Sequence, residues 1–146
     1  MREKCQIGAS GMYAARVMDS KKLFECMGGL EISVACYQTS TDFVLAGKTE
    51  DLKILQQKLY AIGEMRHQFV GLPLGFHSAH MDPALEEFAK VTKAIPIRPP
   101  TIPVVSTVLD TVVHPRTADI FTTDYFVAHF RMHVLFVQAA LGLSRS

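Results

Sequence analysis

The order in which strand-forming and helix-forming segments alternate between residues 11 and 72 constrains the fold of this 146-residue chain more than any other feature. Residues 11–18 read as a strand, after which Asp19 or Ser20 caps a helix that ends at Gly28-Gly29. Residues 32–37 and 43–47 read as two strands joined by a polar turn over 38–42, hence a hairpin. Thr49 then caps a second helix, with Glu50 and Asp51 in the first turn where the helix dipole favours them. Leu52, Leu55, Leu59 and Ile62 share one face of it, and Gly63 stops it. Residues 66–70 form the last strand. The order is βαββαβ, the ferredoxin-like split motif, and the fold class expected is α+β.

The grammar changes near residue 72. In Gly75-Phe76-His77-Ser78-Ala79-His80-Met81-Asp82-Pro83, a histidine ends an extended apolar segment just ahead of a helix start. Asp82 is the expected N-cap and Pro83 fits the first turn, where a missing N–H costs nothing. A histidine at such a junction can face a substrate as a base. The helix that follows is predicted to turn Leu85, Phe88, Val91 and Ile95 inward, before Pro96, Pro99, Pro100 and Pro103 break the chain. Residues 102–108 are nearly all apolar, as expected of a strand buried on both faces. From Asp124 a helical stripe of Val127, Phe130, Val134, Val137 and Leu141 is predicted. One buried strand cannot make a sheet alone, so residues 73–146 read as part of something larger.

Fifteen basic and fourteen acidic side chains nearly cancel, which gives no electrostatic case for nucleic acid or an anionic membrane as a partner. Cys5, Cys26 and Cys36 are widely spaced and read as free thiols of a reducing compartment. The charged N-terminus leads into no apolar run, and residues 134–143 are too short to span a bilayer. A cytoplasmic location is expected.

Several chemical motifs fail on inspection. His77 and His80 form H-x-x-H, but no further Cys or carboxylate completes a zinc set, so no metal is expected. His129 and His133 have the spacing of two metalloprotease ligands, with Phe130 where that motif needs glutamate. Gly8-Ala9-Ser10-Gly11-Met12 imitates a nucleophile elbow, yet Met12 stands where the strained turn needs glycine, and Ser10 precedes a strand, not a helix. Ser10 is read as a loop residue. His77 is left as a base without a nucleophile.

Four stretches together resemble the later part of a malonyl-CoA:acyl-carrier-protein transacylase domain, most closely the acyltransferase domain of iterative, fungal-type type I polyketide synthases. They are Cys5-Gln6-Ile7-Gly8 through Gly11-Met12; Val34-Ala35-Cys36-Tyr37 with Val44-Leu45-Ala46-Gly47; Gly75-Phe76-His77-Ser78 with Met81-Asp82-Pro83; and Pro100 through Ser106. His129-Phe130-Arg131-Met132-His133-Val134-Leu135-Phe136 resembles the family's H-x-R-x-x-V-x-F helix.

The resemblance implies an α/β-hydrolase-like large subdomain with a ferredoxin-like small subdomain inserted. Residues 1–10 would then be the end of a large-subdomain helix and a linker, 11–72 the small subdomain, and 73–146 an incomplete piece of the large one. It also implies the reaction. A serine in a G-H-S-x-G elbow takes malonyl from coenzyme A and passes it to the phosphopantetheine thiol of an acyl carrier protein. His77 would be the base and acid, oriented by a backbone carbonyl near His129. Leu74, Gly75 and Phe76 would set extender selectivity, Phe76 favouring malonyl because its bulk crowds an α-methyl group. Leu74 stands where histidine is common, and Gln38-Thr39-Ser40 replaces a common Asn-Ser-Pro. The implied substrate is a coenzyme A thioester, with no cofactor bound directly.

The elbow serine, the oxyanion-hole segment and the arginine for the malonyl carboxylate all lie upstream in that family, and this sequence contains none of them. The chain alone is therefore expected to be inactive, with the upstream part of the domain as a further partner. A rival reading is a non-enzymatic module whose ferredoxin-like half binds a carrier protein.

Overall fold

The computed structural model describes residues 8–115 and 120–143. The helix end predicted for residues 1–10, up to residue 7, and Cys5 lie outside them. Strand β1 (Ser10–Arg16), helix α1 (Ser20–Met27), strands β2 (Ile32–Tyr37) and β3 (Asp42–Lys48), helix α2 (Thr49–Ala61) and strand β4 (Arg66–Val70) follow in the predicted order. They form one antiparallel sheet of order β2-β3-β1-β4, the split βαββαβ connectivity.

Local chemistry explains most of these boundaries. Asp19 caps α1, its carboxylate accepting from the Lys21 N–H at 2.9 Å. Gly63 ends α2 at φ +80°, where a side chain would be strained. Gly47 is required by close approach, because a Cβ there would stand 2.6 Å from the Glu31 carbonyl oxygen. Thr49 does not cap α2: the preceding Lys48 holds the cap position with no side-chain bond. The Thr49 hydroxyl instead donates to the Gly8 carbonyl at 2.9 Å, tying α2 to the chain before β1.

The sheet buries both faces. On one, Tyr13, Ala15, Val17, Phe43 and Leu45 pack with Leu23 of α1 and Leu52, Leu55 and Leu59 of α2. Each fully buried leucine contributes on the order of 1.5–3 kcal/mol. Ile62, predicted on that stripe, lies beyond the helix end and is exposed. A second cluster joins Met12, Ala35 and Ala46 with Val44, Val70 and Phe76, and a third joins Met81 and Ala84 with Leu74, Phe76 and Phe130. Phe76 belongs to both.

Beyond β4 the structure departs from several expectations. A 3-10 turn (Ala79–Ala84) precedes helix α3 (Leu85–Lys93), and its cap is Ser78, not Asp82. On α3, Thr92 is buried while Val91 and the following Ile95 face solvent; Phe88 stacks on Phe130 with ring centroids 4.5 Å apart. The strand predicted over 102–108 shrinks to β5 (Val104–Ser106), paired only with β6 (Thr111–Val113). Without neighbouring strands on both sides its apolar residues stay half-buried or, like Ile102, exposed. The long stripe from Asp124 is two helices, α4 (Thr123–Arg131) and α5 (Phe136–Leu143). Between them Val134 forms a parallel bridge with Cys36 on the outer edge of β2. Its N–H donates to the Ala35 carbonyl at 2.8 Å, and its carbonyl accepts from the Tyr37 N–H at 2.9 Å.

Candidate active site

His77 occupies the left-handed region at φ +56°, a conformation that costs a non-glycine residue on the order of 1–2 kcal/mol. Several bonds hold the loop around it. The Gly75 N–H donates to the buried Ser10 hydroxyl at 3.0 Å, and the Ser78 hydroxyl donates to the Gly75 carbonyl at 2.6 Å. The same Ser78 oxygen accepts from the His80 N–H at 3.3 Å. A Cβ on Gly75 would sit 3.0 Å from His80 Cδ2, so the tight loop has little room for a side chain there. Ser10, read from sequence as a loop residue, is a buried strand residue bracing this loop.

The imidazole is oriented from the other side. His77 Nδ1 lies 3.0 Å from the Met132 carbonyl oxygen. A carbonyl only accepts, so Nδ1 carries the proton and Nε2 is the basic atom of the neutral ring. The carbonyl is that of Met132, not of His129 as expected. Met132 is the first extended residue after α4 (φ −79°, ψ 157°), so its carbonyl turns off the helix axis, whereas His129 lies within the last turn. The His129 ring stands 6.1 Å from that of His77. Burial, and secondarily the charge on His77, pull its pKa below the ordinary imidazole value.

Asp82 pairs with Arg131, fastening the 3-10 turn to the end of α4. The Phe88–Phe130 stack adds a second attachment between α3 and α4. Leu74 and Phe76 pack into the clusters beneath the loop. Sequence reasoning singled out His77 but not Met132, because no side chain marks which carbonyl faces the ring.

His133 lies against Tyr37, not against His129, with ring centroids 5.6 Å apart. Among the described residues no three or more His, Cys, Asp or Glu side chains come together as a metal set. Nor is any described helix long and apolar enough to cross a membrane. Cys26 and Cys36 are free thiols, the latter pushed up in pKa by burial. A cavity of about 400 Å³ opens elsewhere, among Arg16, Gln38, Asp42, Arg66 and His67. It does not reach His77.

No family model matches the sequence. Curated relatives do. Polyketide synthase 2 of Metarhizium guizhouense is 32% identical over 139 residues, 95% of this chain and 6% of that protein. Orsellinic acid synthase of Beauveria bassiana is 35% identical over 143 residues, 93% of this chain and again 6% of the relative. The chain thus spans a small part of the curated relatives it matches. Among solved structures, the acyltransferase domain of an iterative polyketide synthase in enediyne biosynthesis is 27% identical, with a TM-score of 0.80. The match covers 97% of this chain and 36% of that one. A malonyl-transacylase in complex with a type II acyl-carrier protein is 21% identical with a TM-score of 0.81, covering 99% of this chain and 47% of its own. At that identity the likeness is one of fold.

Proposed function

We propose that this chain, which belongs to the acyltransferase domains of polyketide synthases and corresponds to their C-terminal part, supplies the base for malonyl transfer from coenzyme A to an acyl carrier protein. The observation that carries the reading is the His77–Met132 contact. It gives an imidazole one fixed tautomer, with a basic nitrogen opposite an uncharged carbonyl.

The proton bookkeeping is then simple. Nε2 takes the proton of a serine hydroxyl as its oxygen attacks the malonyl thioester carbonyl. The resulting imidazolium returns that proton to the departing coenzyme A sulfur as the C–S bond breaks. The phosphopantetheine thiol of the carrier reverses both steps: it gives its proton to Nε2, its sulfur takes the malonyl group, and the serine oxygen regains the proton. The carbonyl can replace the usual carboxylate because it needs only to accept from Nδ1–H. Nothing in the cycle asks for a cofactor. In this reading the serine belongs to a segment outside this sequence, Phe76 biases the site against an α-methyl group, and the setting is the cytoplasm.

The test is reconstitution. Alone, the chain should take up no stoichiometric label from radiolabelled malonyl-CoA. Expressed with an upstream segment bearing a G-H-S-x-G elbow, it should transfer malonyl to a carrier protein, and His77→Ala should lower that rate at least about 100-fold. Carrier binding without transfer by the reconstituted domain would favour a non-enzymatic module.

A further inference from the structure

The edge of the small sheet ends two residues from the carbonyl that orients His77. Register along β2 and β3 pairs Val34 with Leu45 and Cys36 with Val44, leaving Ala35 as an extra, bulged residue. Ala35 is fully buried, and its carbonyl takes the Val134 N–H at 2.8 Å while Tyr37 N–H reaches the Val134 carbonyl at 2.9 Å. Two backbone bonds thus fix Val134 against β2. Arg131, at the end of α4, is fixed by its pair with Asp82. Met132 lies on the short span between these attachments.

We infer that the bridge between the bulged β2 edge and Val134 is a positioning device, setting the place of the Met132 carbonyl and through it the tautomer and aim of His77. The small sheet therefore governs the base through backbone hydrogen bonds. Among the described residues the Met132 carbonyl is the one hydrogen-bond partner of this left-handed histidine's ring, so displacing that carbonyl frees the imidazole. That His77 acts as a base rests on the transferase reading. The anchoring does not, and it is tested with no turnover.

Val134→Pro and Tyr37→Pro each delete one N–H of the bridge. Proline is tolerated at an edge whose N–H faces away from the sheet. The readout is the ¹⁵N spectrum of the His77 ring in the chain as it stands, at about pH 8, where an ordinary imidazole is neutral. The parent chain should show the Nδ1–H tautomer as the dominant form. In either variant that form should fall to a minority, with β1 and β3 amide protection unchanged. A folded variant that keeps the Nδ1–H form dominant overturns the proposal. Should both variants lose the sheet, a urea titration of the parent chain decides. The tautomer must change together with loss of Val134 and Tyr37 amide protection, and its persistence after those amides open refutes the anchoring.

Discussion

Replacing Tyr13 by phenylalanine removes one oxygen from the centre of the small sheet and little else. Tyr13 is fully buried, and its ring meets Phe69 edge-on at 4.9 Å, a packing that phenylalanine retains. Its hydroxyl donates to His67 Nδ1, because His67 Nε2 is committed to the Glu64 carbonyl at 2.7 Å. The variant leaves Nδ1 buried with no donor, at a cost of about 1–3 kcal/mol. At 2 kcal/mol, the middle of that range, the folding equilibrium falls roughly 30-fold.

A second signature separates this from a general packing defect. Burial pushes the Tyr13 hydroxyl from its ordinary 10.0 up to about 12, against a hydrogen bond from Gln56 that lowers it. The folded value is the higher one. The stability held by neutral Tyr13 is therefore complete below pH 10 and is lost as pH rises from there through 12. Urea unfolding followed by circular dichroism, from neutral pH to about pH 11.5, should show a falling alkaline limb in the parent chain that is shallower in Y13F. A variant within about 0.5 kcal/mol of the parent at neutral pH, with a parallel alkaline limb, would refute the reasoning.

Two further outcomes follow. His129 should titrate below the ordinary imidazole value, and His77→Gln should raise its midpoint only partway, since burial is the larger cause. Because the folded value is the depressed one, its contribution to stability is present above about pH 6.5 and lost as pH falls through the folded value; an NMR midpoint indifferent to His77→Gln would count against the contact. Second, Val91, Ile95, Ile102, Phe136 and Leu141 are each more than half exposed. Amide exchange should be fast over 102–108 and 136–141 and slow in the sheet and at the bridged Val134, with the upstream segment restoring protection; uniform protection in the chain alone would argue against that surface being an unfilled interface.

Where local chemistry decides, the sequence was legible. The strands of the sheet, the Asp19 cap and the leucine face of α2 follow from alternation, capping and a 3.6-residue period. Where a distant segment decides, it was not. The stripe from Val127 to Leu141 keeps helical spacing through Val134, yet the unpaired edge of β2 captures that residue and breaks the helix. The same event moved the orienting carbonyl from His129 to Met132. Residues 102–108 have the composition of a central strand, but a strand's burial depends on neighbours that these residues do not themselves supply. His77 could be singled out from sequence because an imidazole is a recognisable candidate base, whereas the partner its ring meets is a backbone atom that every residue possesses.

Phe76, shared between the cluster on the second face of the sheet and the cluster beneath α4, bears on how this chain could be cut for engineering. A cut after residue 72 looks natural from sequence, since all four strands lie before it. It would nonetheless strip Phe76 from Met12, Ala46 and Val70 and leave that face wet. An excised sheet of this kind gains a sticky side, and copies of it would tend to associate through it. Any portable version of the small unit has to carry Phe76 along with it, or have that face redesigned with polar side chains.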